Sequence, residues 1–242
     1  MMQRTFLMDS QWNIVYYPEK PNGFSVFLIG DREHYVEEKN SFWDQHPSRI
    51  KLIESMKNQG YTAFSSHLYG KHWGSERAFQ LSKQLYYMIM KSEILNDKIH
   101  IYTEGMGAIL ALRIMKEWPE KVRSAVFINP CLSLETKLVN EKEKKFFYKR
   151  FLRELENAHG AQDSERSRIL DENSTFEYKT SIPIKVIHIL GHQGDDQSHL
   201  YKNIKPDKES GAVVELQYLF AEQRFKLARQ AVSFFQQFEQ EL

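Results

Sequence analysis

Apolar positions along this chain alternate between two patterns. Short runs rich in β-branched and aromatic residues, the mark of strands covered on both faces, occur at residues 24–29, 99–103, 125–128 and 184–190, and residues 213–220 read as the last strand. Between these runs the apolar residues recur at helical spacing. Ile50, Ile53 and Met56 define a helix over 48–59, with Ser48 as its N-cap and Gly60 as its stop. Ala78, Leu81, Leu85, Met88 and Ile89 define another over 77–91. Ile109, Leu112 and Met115 lie on a third, which opens at Ala108 and ends at Trp118-Pro119. Phe225, Ala228, Val232, Phe235 and Phe238 place an inward face on a fourth over 224–238. Residues 4–8 and 12–17, separated by Asp9-Ser10-Gln11, read as an antiparallel hairpin at one sheet edge. A strand follows Gly60. Strand, helix and strand in alternation predict an α/β fold with a mostly parallel sheet, right-handed crossovers and helices on both faces. Residues 131–181 interrupt the alternation. Their strongest periodicity is Phe147, Phe151 and Leu155 within a helix predicted over 141–157, and residues 159–173 are polar.

The most informative stretch runs over residues 99–130: a buried strand, a tight turn, a three-turn helix and a second buried strand ending at Asn129-Pro130. The turn reads Thr103-Glu104-Gly105-Met106-Gly107, and the stretch after the helix contains Pro119-Glu120-Lys121-Val122. Further upstream, Gly60-Tyr61-Thr62-Ala63-Phe64 leads into Leu68-Tyr69-Gly70-Lys71-His72-Trp73-Gly74-Ser75, a strand followed by a glycine-rich loop.

In order and spacing these segments resemble the α/β-hydrolase superfamily, whose nucleophile elbow reads G-x-S-x-G between a strand and a helix. The resemblance covers nearly the full chain. It implies a sheet of about eight strands with the N-terminal hairpin at its edge, a core formed by residues 1–130 and 182–242, and a helical cap inserted at 131–181. It also assigns positions. Gly105 stands where the nucleophile would be, and it has no side chain with which to attack. Met106 and Asp31, the residue after Ile29-Gly30, stand where the oxyanion N–H donors would be, so Gly30, Asp31, Glu104 and Met106 would line the pocket. A carboxylate at Asp31 opposes developing negative charge, unless its side chain points away as an exposed loop acid. The acid position falls in Gly191-His192-Gln193-Gly194-Asp195-Asp196, with Asp195 one residue later than the usual spacing and Asp196 beside it. The general-base position falls in Ala221-Glu222-Gln223-Arg224-Phe225, where Gln223 replaces histidine. A glutamine amide cannot take the hydroxyl proton and return it to a leaving group. Of nucleophile, base and acid, only the acid is retained.

Other side chains offer little chemistry on their own. Thr103 and Glu104 precede the turn and do not project as the elbow residue does. Cys131 has no adjacent base. His67, which stands where the family usually has Asp, and His72 are lone loop histidines of the kind that are solvated or structural. His192, Asp195, Asp196 and His199 invite a metal reading, but loop residues at these offsets need not converge on one point, so no metal and no cofactor is expected. The reading that results is a hydrolase-like protein of non-catalytic, pseudoenzyme character, with a retained small-molecule pocket or an interaction role. The alternative is a hydrolase or lyase acting on a small ester-like or carbonyl substrate, with Asp195, Asp196 or His192 activating a bound water.

Charge and composition narrow the partners. A formal net charge of +1 over 242 residues gives no bulk attraction to nucleic acid or to a membrane. Lys142, Lys144, Lys145, Lys149 and Arg150 do concentrate positive charge on the predicted 141–157 helix, where Phe146 and Tyr148 add aromatic surface. Such a face serves a membrane or a partner less often than it forms the solvated side of a cap helix. The single cysteine cannot form an intramolecular disulfide and agrees with a reducing compartment. Residues 1–8 lack the apolar centre of a signal peptide and no apolar run reaches spanning length, so a soluble, cytoplasmic protein is expected.

Overall fold

The computed structural model describes residues 2–144, 147–160, 176–191 and 196–239. The hairpin comes first: β1 (Gln3–Met8) pairs antiparallel with β2 (Gln11–Tyr16). Its turn is two residues long, with Asp9 and Ser10 both at positive φ (48° and 58°). That is the left-handed geometry that matches the twist of paired strands. The buried runs then give β3 (Ser25–Ile29), β4 (Thr62–Ser66), β5 (Ile99–Glu104), β6 (Val122–Ile128) and β8 (Ile184–Leu190), and the last strand is β10 (Val214–Phe220), at the sheet edge with only Leu219 buried. β7 (Tyr178–Thr180) and β9 (Ile204–Pro206) form a separate short parallel pair. The main sheet has eight strands in the order β1-β2-β4-β3-β5-β6-β8-β10, parallel from β4 to β10 and antiparallel at β2.

Helices cover both faces, as the periodicity requires. α2 (Glu76–Ser92) and α3 (Gly107–Glu117) bury Leu81, Leu85, Ile89, Leu110 and Ile114 against Phe27, Phe64, Ile101 and Phe127 of the sheet. On the opposite face, α1 (Pro47–Asn58) and α6 (Leu227–Gln236) bury Ile53, Met56, Phe234 and Phe235 against Ile14, Val26, Leu28 and Val126. Each fully buried aromatic or aliphatic side chain contributes roughly 1.5–3 kcal/mol by leaving water, so these two layers are the main source of stability.

Three expectations are corrected. α1 starts one residue earlier than Ser48, and its cap is His46, whose Nδ1 accepts the Ser48 N–H at 3.3 Å. The single helix expected over 141–157 is two, α4 (Leu134–Lys144) and α5 (Tyr148–His159). Phe151 and Leu155 are buried on α5 as the spacing demands, but Phe147 stands outside the helix and is 54% exposed. The last helix is also shorter than 224–238. Residues Ala221–Lys226 form a 3-10 turn, whose three-residue period rotates Phe225 away from the stripe that continues as Ala228, Val232 and Phe235. Phe225 is 59% exposed.

The two C-terminal phenylalanines therefore separate by mutation. Phe235→Ala, in contact with His100 and Tyr61, is expected to cost about 3–5 kcal/mol in urea unfolding. Phe225→Ala is expected to stay within about 0.5 kcal/mol. Equal losses would place Phe225 in the core after all.

Candidate functional site

The sheet order sets where a ligand site forms. From β3 the chain crosses to β4 on one side, and from β5 it crosses to β6 on the other. The loops that leave the C-terminal ends of β3 and β5 therefore diverge and open a crevice between them. Both loops carry the residues singled out in the sequence. After β5 the backbone turns at Gly105 with φ +49°, and α3 begins two residues later. The turn is fixed by the Gly105 N–H donating to the Ile128 carbonyl (3.0 Å) and the Cys131 N–H donating to the Gly105 carbonyl (2.9 Å). Gly107 lets α3 sit down on the end of β3. A Cβ there would lie 2.8 Å from the carbonyl oxygens of Ile29 and Gly30. After β3, the His34 N–H closes a turn onto the Asp31 carbonyl at 2.8 Å and the His34 ring packs over Gly30.

That turn delivers the Asp31 side chain into the elbow. Its Oδ1 accepts the Met106 N–H at 2.8 Å. A Cβ built on Gly105 would fall inside contact distance of the Asp31 carboxyl carbon and both of its oxygens. The carboxylate thus lies where a nucleophile's side chain would project, and it engages the backbone donor that an oxyanion would need. The Met106 N–H, expected to serve the pocket, is instead taken by Asp31, and the alternative of an Asp31 side chain turned outward is corrected. The position suits an anion, because the N-terminus of α3 presents its unpaired N–H groups and the positive end of its dipole there.

Around this contact lies a small charged cluster. Glu104 is half-buried, and its Oε1 accepts the Tyr102 hydroxyl at 3.2 Å. Burial pushes the Glu104 carboxyl above the ordinary carboxylate range, and the nearby Asp31 charge adds to this. Arg49, the Tyr102 hydroxyl and Arg224 act in the opposite direction. Tyr102 is fully enclosed, and burial together with the Glu104 charge raises its hydroxyl well above the usual phenol value. Arg49 reaches in from α1 over the Phe42 ring (3.4 Å to the centroid). Arg224 comes from the very loop in which Gln223 was placed at the base position. Gln223 itself is turned to local use, its Oε1 accepting the N–H of Phe220 at 3.3 Å to close the 3-10 turn. Sequence reasoning missed Arg49, Tyr102 and Arg224. Arg49 and Tyr102 sit on a predicted helix and a predicted strand with nothing local to mark them, while Arg224 was adjacent to the residue that alignment selected.

The acid loop is partly visible. Asp195 and His192 lie outside the described residues. Asp196 is exposed and accepts the Ser198 N–H at 2.8 Å. Burial works to raise its carboxyl, but the hydrogen bonds from Ser198 and the charges of His188 and His199 outweigh it and hold the group low. Next to it, Gln197 is fully buried and pins the chain after β6. Its Oε1 accepts the N–H groups of Leu132 (2.7 Å) and Ser133 (3.0 Å), and its Nε2 donates to the Ser133 carbonyl (2.9 Å). His72 is buried, accepts the Gly74 N–H at 3.1 Å, and is lowered to about 3 by burial. His67 is half-buried and likewise lowered by burial.

α5 is clasped to the same loops. The Glu154 carboxylate, with its side chain 9% exposed, receives Arg32 (2.8 Å), Lys71 (3.0 Å), Arg150 (3.0 Å) and the Trp73 indole N–H (3.3 Å). Burial alone would raise this carboxyl, but the hydrogen bonds and charges of Arg32 and Lys71 bring it below its ordinary value. Lys142 and Lys149 of the basic stretch are exposed, while Lys145 and Phe146 lie outside the described residues.

Two measurements check the elbow. Gly105→Ala is expected to cost about 2–4 kcal/mol, combining positive φ with overpacking against Asp31. In an Asp31→Gly background the cost should fall to the backbone part, about 1–2 kcal/mol; an unchanged cost would mean that the carboxylate is elsewhere. The raised Glu104 carboxyl gives a pH signature. Because the folded value lies above the unfolded one, the stabilisation is complete below the ordinary value of 4.5 and is lost as pH rises through the folded value. Glu104→Gln should therefore raise the thermal midpoint at neutral pH relative to wild type and lose that advantage at pH 4. A gain that is independent of pH would rule this out.

No protein-family model and no curated protein sequence matches this chain. Solved structures do. Est1E from Butyrivibrio proteoclasticus superposes with a TM-score of 0.64 at 9% identity, covering 97% of this chain and 98% of that one. An S-formylglutathione hydrolase from Agrobacterium tumefaciens gives 0.61 at 10% identity, covering 98% and 94%. MGS-MChE2, an alpha/beta hydrolase enzyme from the metagenome of lagoon sediments at Mar Chica, Morocco, gives 0.57 at 12% identity, covering 97% and 98%. Identities this low speak to architecture, and together with the sheet order they establish that this chain has the α/β-hydrolase fold.

Proposed function

We propose that this chain is an α/β-hydrolase-fold protein without serine-hydrolase activity, in which the helices between β6 and β8 act as a cap over a crevice kept for binding. The observation that carries this reading is the Asp31 carboxylate over Gly105. Acyl transfer needs an attacking group at the elbow, a base to activate it and an open donor for the oxyanion. Here the elbow residue is glycine, the base position holds a glutamine committed to its own backbone, and the Met106 N–H already serves a carboxylate. A negative charge developing beside Asp31 would meet repulsion where an active site supplies stabilisation.

Turnover of short p-nitrophenyl esters tests this directly. Wild type is expected to give no rate above the buffer blank. The pair Gly105→Ser with Gln223→His should stay equally silent, because Asp31 still occupies the elbow. Adding Asp31→Gly to that pair is the change expected to let ester hydrolysis rise above the blank. Wild-type turnover abolished by Asp31→Asn would overturn the reading and make the carboxylate itself the reacting group.

A further inference from the structure

A cleft separate from the elbow is bordered by described residues. It has a volume of about 840 Å³ and opens between the starts of α2 and α3 on one side and the chain from Leu132 to α5 on the other. Trp73, Ile109, Leu132, Leu134 and Ala158 supply its apolar walls, and none of Gly30, Asp31, Glu104, Gly105 or Met106 lines it. We propose that this cleft is a binding site for an uncharged small molecule with an aromatic or aliphatic body.

Size, rigidity and charge all support this assignment. Pockets that enclose small organic ligands run to roughly 300–1,000 Å³, are mostly apolar and are largely formed before the ligand arrives. This cleft is pre-formed because each described backbone segment around it is tied down by a side chain. Arg113 donates to the Gly74 carbonyl (3.1 Å), His159 pairs with the Trp73 carbonyl (3.0 Å), and Arg77 donates to the Asn157 carbonyl (2.9 Å). Gln197 holds Leu132 and Ser133 from behind. The Trp73 ring is fixed by its edge-to-face contact with Phe151 (5.0 Å between centroids) and by its N–H bond to Glu154.

The ions at the rim are spent within the protein. Arg113 pairs with Glu117 at 2.7 Å and with Glu76, Arg77 also lies over the Tyr69 ring, and Glu135 accepts the Ser133 hydroxyl at 2.7 Å. The two arginines are balanced by Glu76 and Glu135 in the lining itself. Among the described lining residues these charges cancel, so a charged ligand would surrender its hydration without a net attraction, whereas an uncharged one loses nothing of that kind.

Paired fluorescent probes of nearly the same shape test both the site and the charge rule. The full chain is titrated with N-phenyl-1-naphthylamine, which is uncharged, and with 8-anilinonaphthalene-1-sulfonate, which carries an anion. The uncharged probe should show a saturable rise in emission and bind at least about tenfold more tightly than the sulfonate. Ile109→Trp fills the inner wall and Asn157→Trp covers the mouth, and each should weaken the uncharged probe by about tenfold or more with an unchanged circular dichroism spectrum. Asn157 is exposed, so that variant decides the matter alone if Ile109→Trp does not fold. Absence of saturation, equal binding of the two probes, or undiminished affinity in the tryptophan variants would overturn the proposal. None of these variants touches Gly105 or Asp31, so failure here leaves the elbow reading to stand or fall on ester turnover.

Discussion

The contact between the Asp31 carboxylate and the Met106 N–H is the constraint on which the crevice depends. It joins the loop after β3 to the first turn of α3 at the point where the chain diverges to either side of the sheet. The approach is possible only because glycine occupies the positions that face it. Gly105 adopts positive φ without a side chain to meet the carboxylate, and Gly107 lets α3 rest on the carbonyls of Ile29 and Gly30. A carboxylate at a helix N-terminus is favourable in its own right, by roughly 0.3–1 kcal/mol when exposed and more when partly buried. The interaction that occupies the space above Gly105 thus also helps to hold the fold together.

The surrounding polar groups follow the same economy. His34 and His100 are driven down to about 4 and about 3 by burial, and each is engaged with a neighbour: His34 with the Ser66 carbonyl (2.8 Å), His100 with the Ser124 hydroxyl (2.8 Å). An imidazole held neutral far below physiological pH contributes a hydrogen bond and packing, not a proton switch. Two carboxyl groups at the elbow lie in contrasting settings. Asp31 faces a helix N-terminus, whereas Glu104 is penalised by burial and by the charge beside it.

Much of the architecture was legible in the sequence. β-branched runs located the central strands, because strands buried on both faces leave no room for polar alternation, though β6 begins three residues before the run read at 125–128. Glycines 105 and 107 marked the elbow because only that turn needs them. Helix boundaries were less legible where local chemistry overrode periodicity. A histidine cap replaced the expected serine, the helix over 141–157 divided into two, and a 3-10 turn threw Phe225 outward. The site was legible only in part. Asp31 does lie beside Gly105 and Met106 in space, but the direction of its side chain is set by a turn closed from His34 to Asp31, which no spacing announces. Arg49 and Arg224 enter from opposite ends of the chain, and only folding brings them to Glu104. The large lateral cleft was invisible for the same reason, since its walls come from four separate segments.

The clasp on Glu154 has a mechanical consequence. Arg32, which it grips at 2.8 Å, is the residue immediately after Asp31. One short loop thus carries both a contact that anchors α5 and the carboxylate above Gly105.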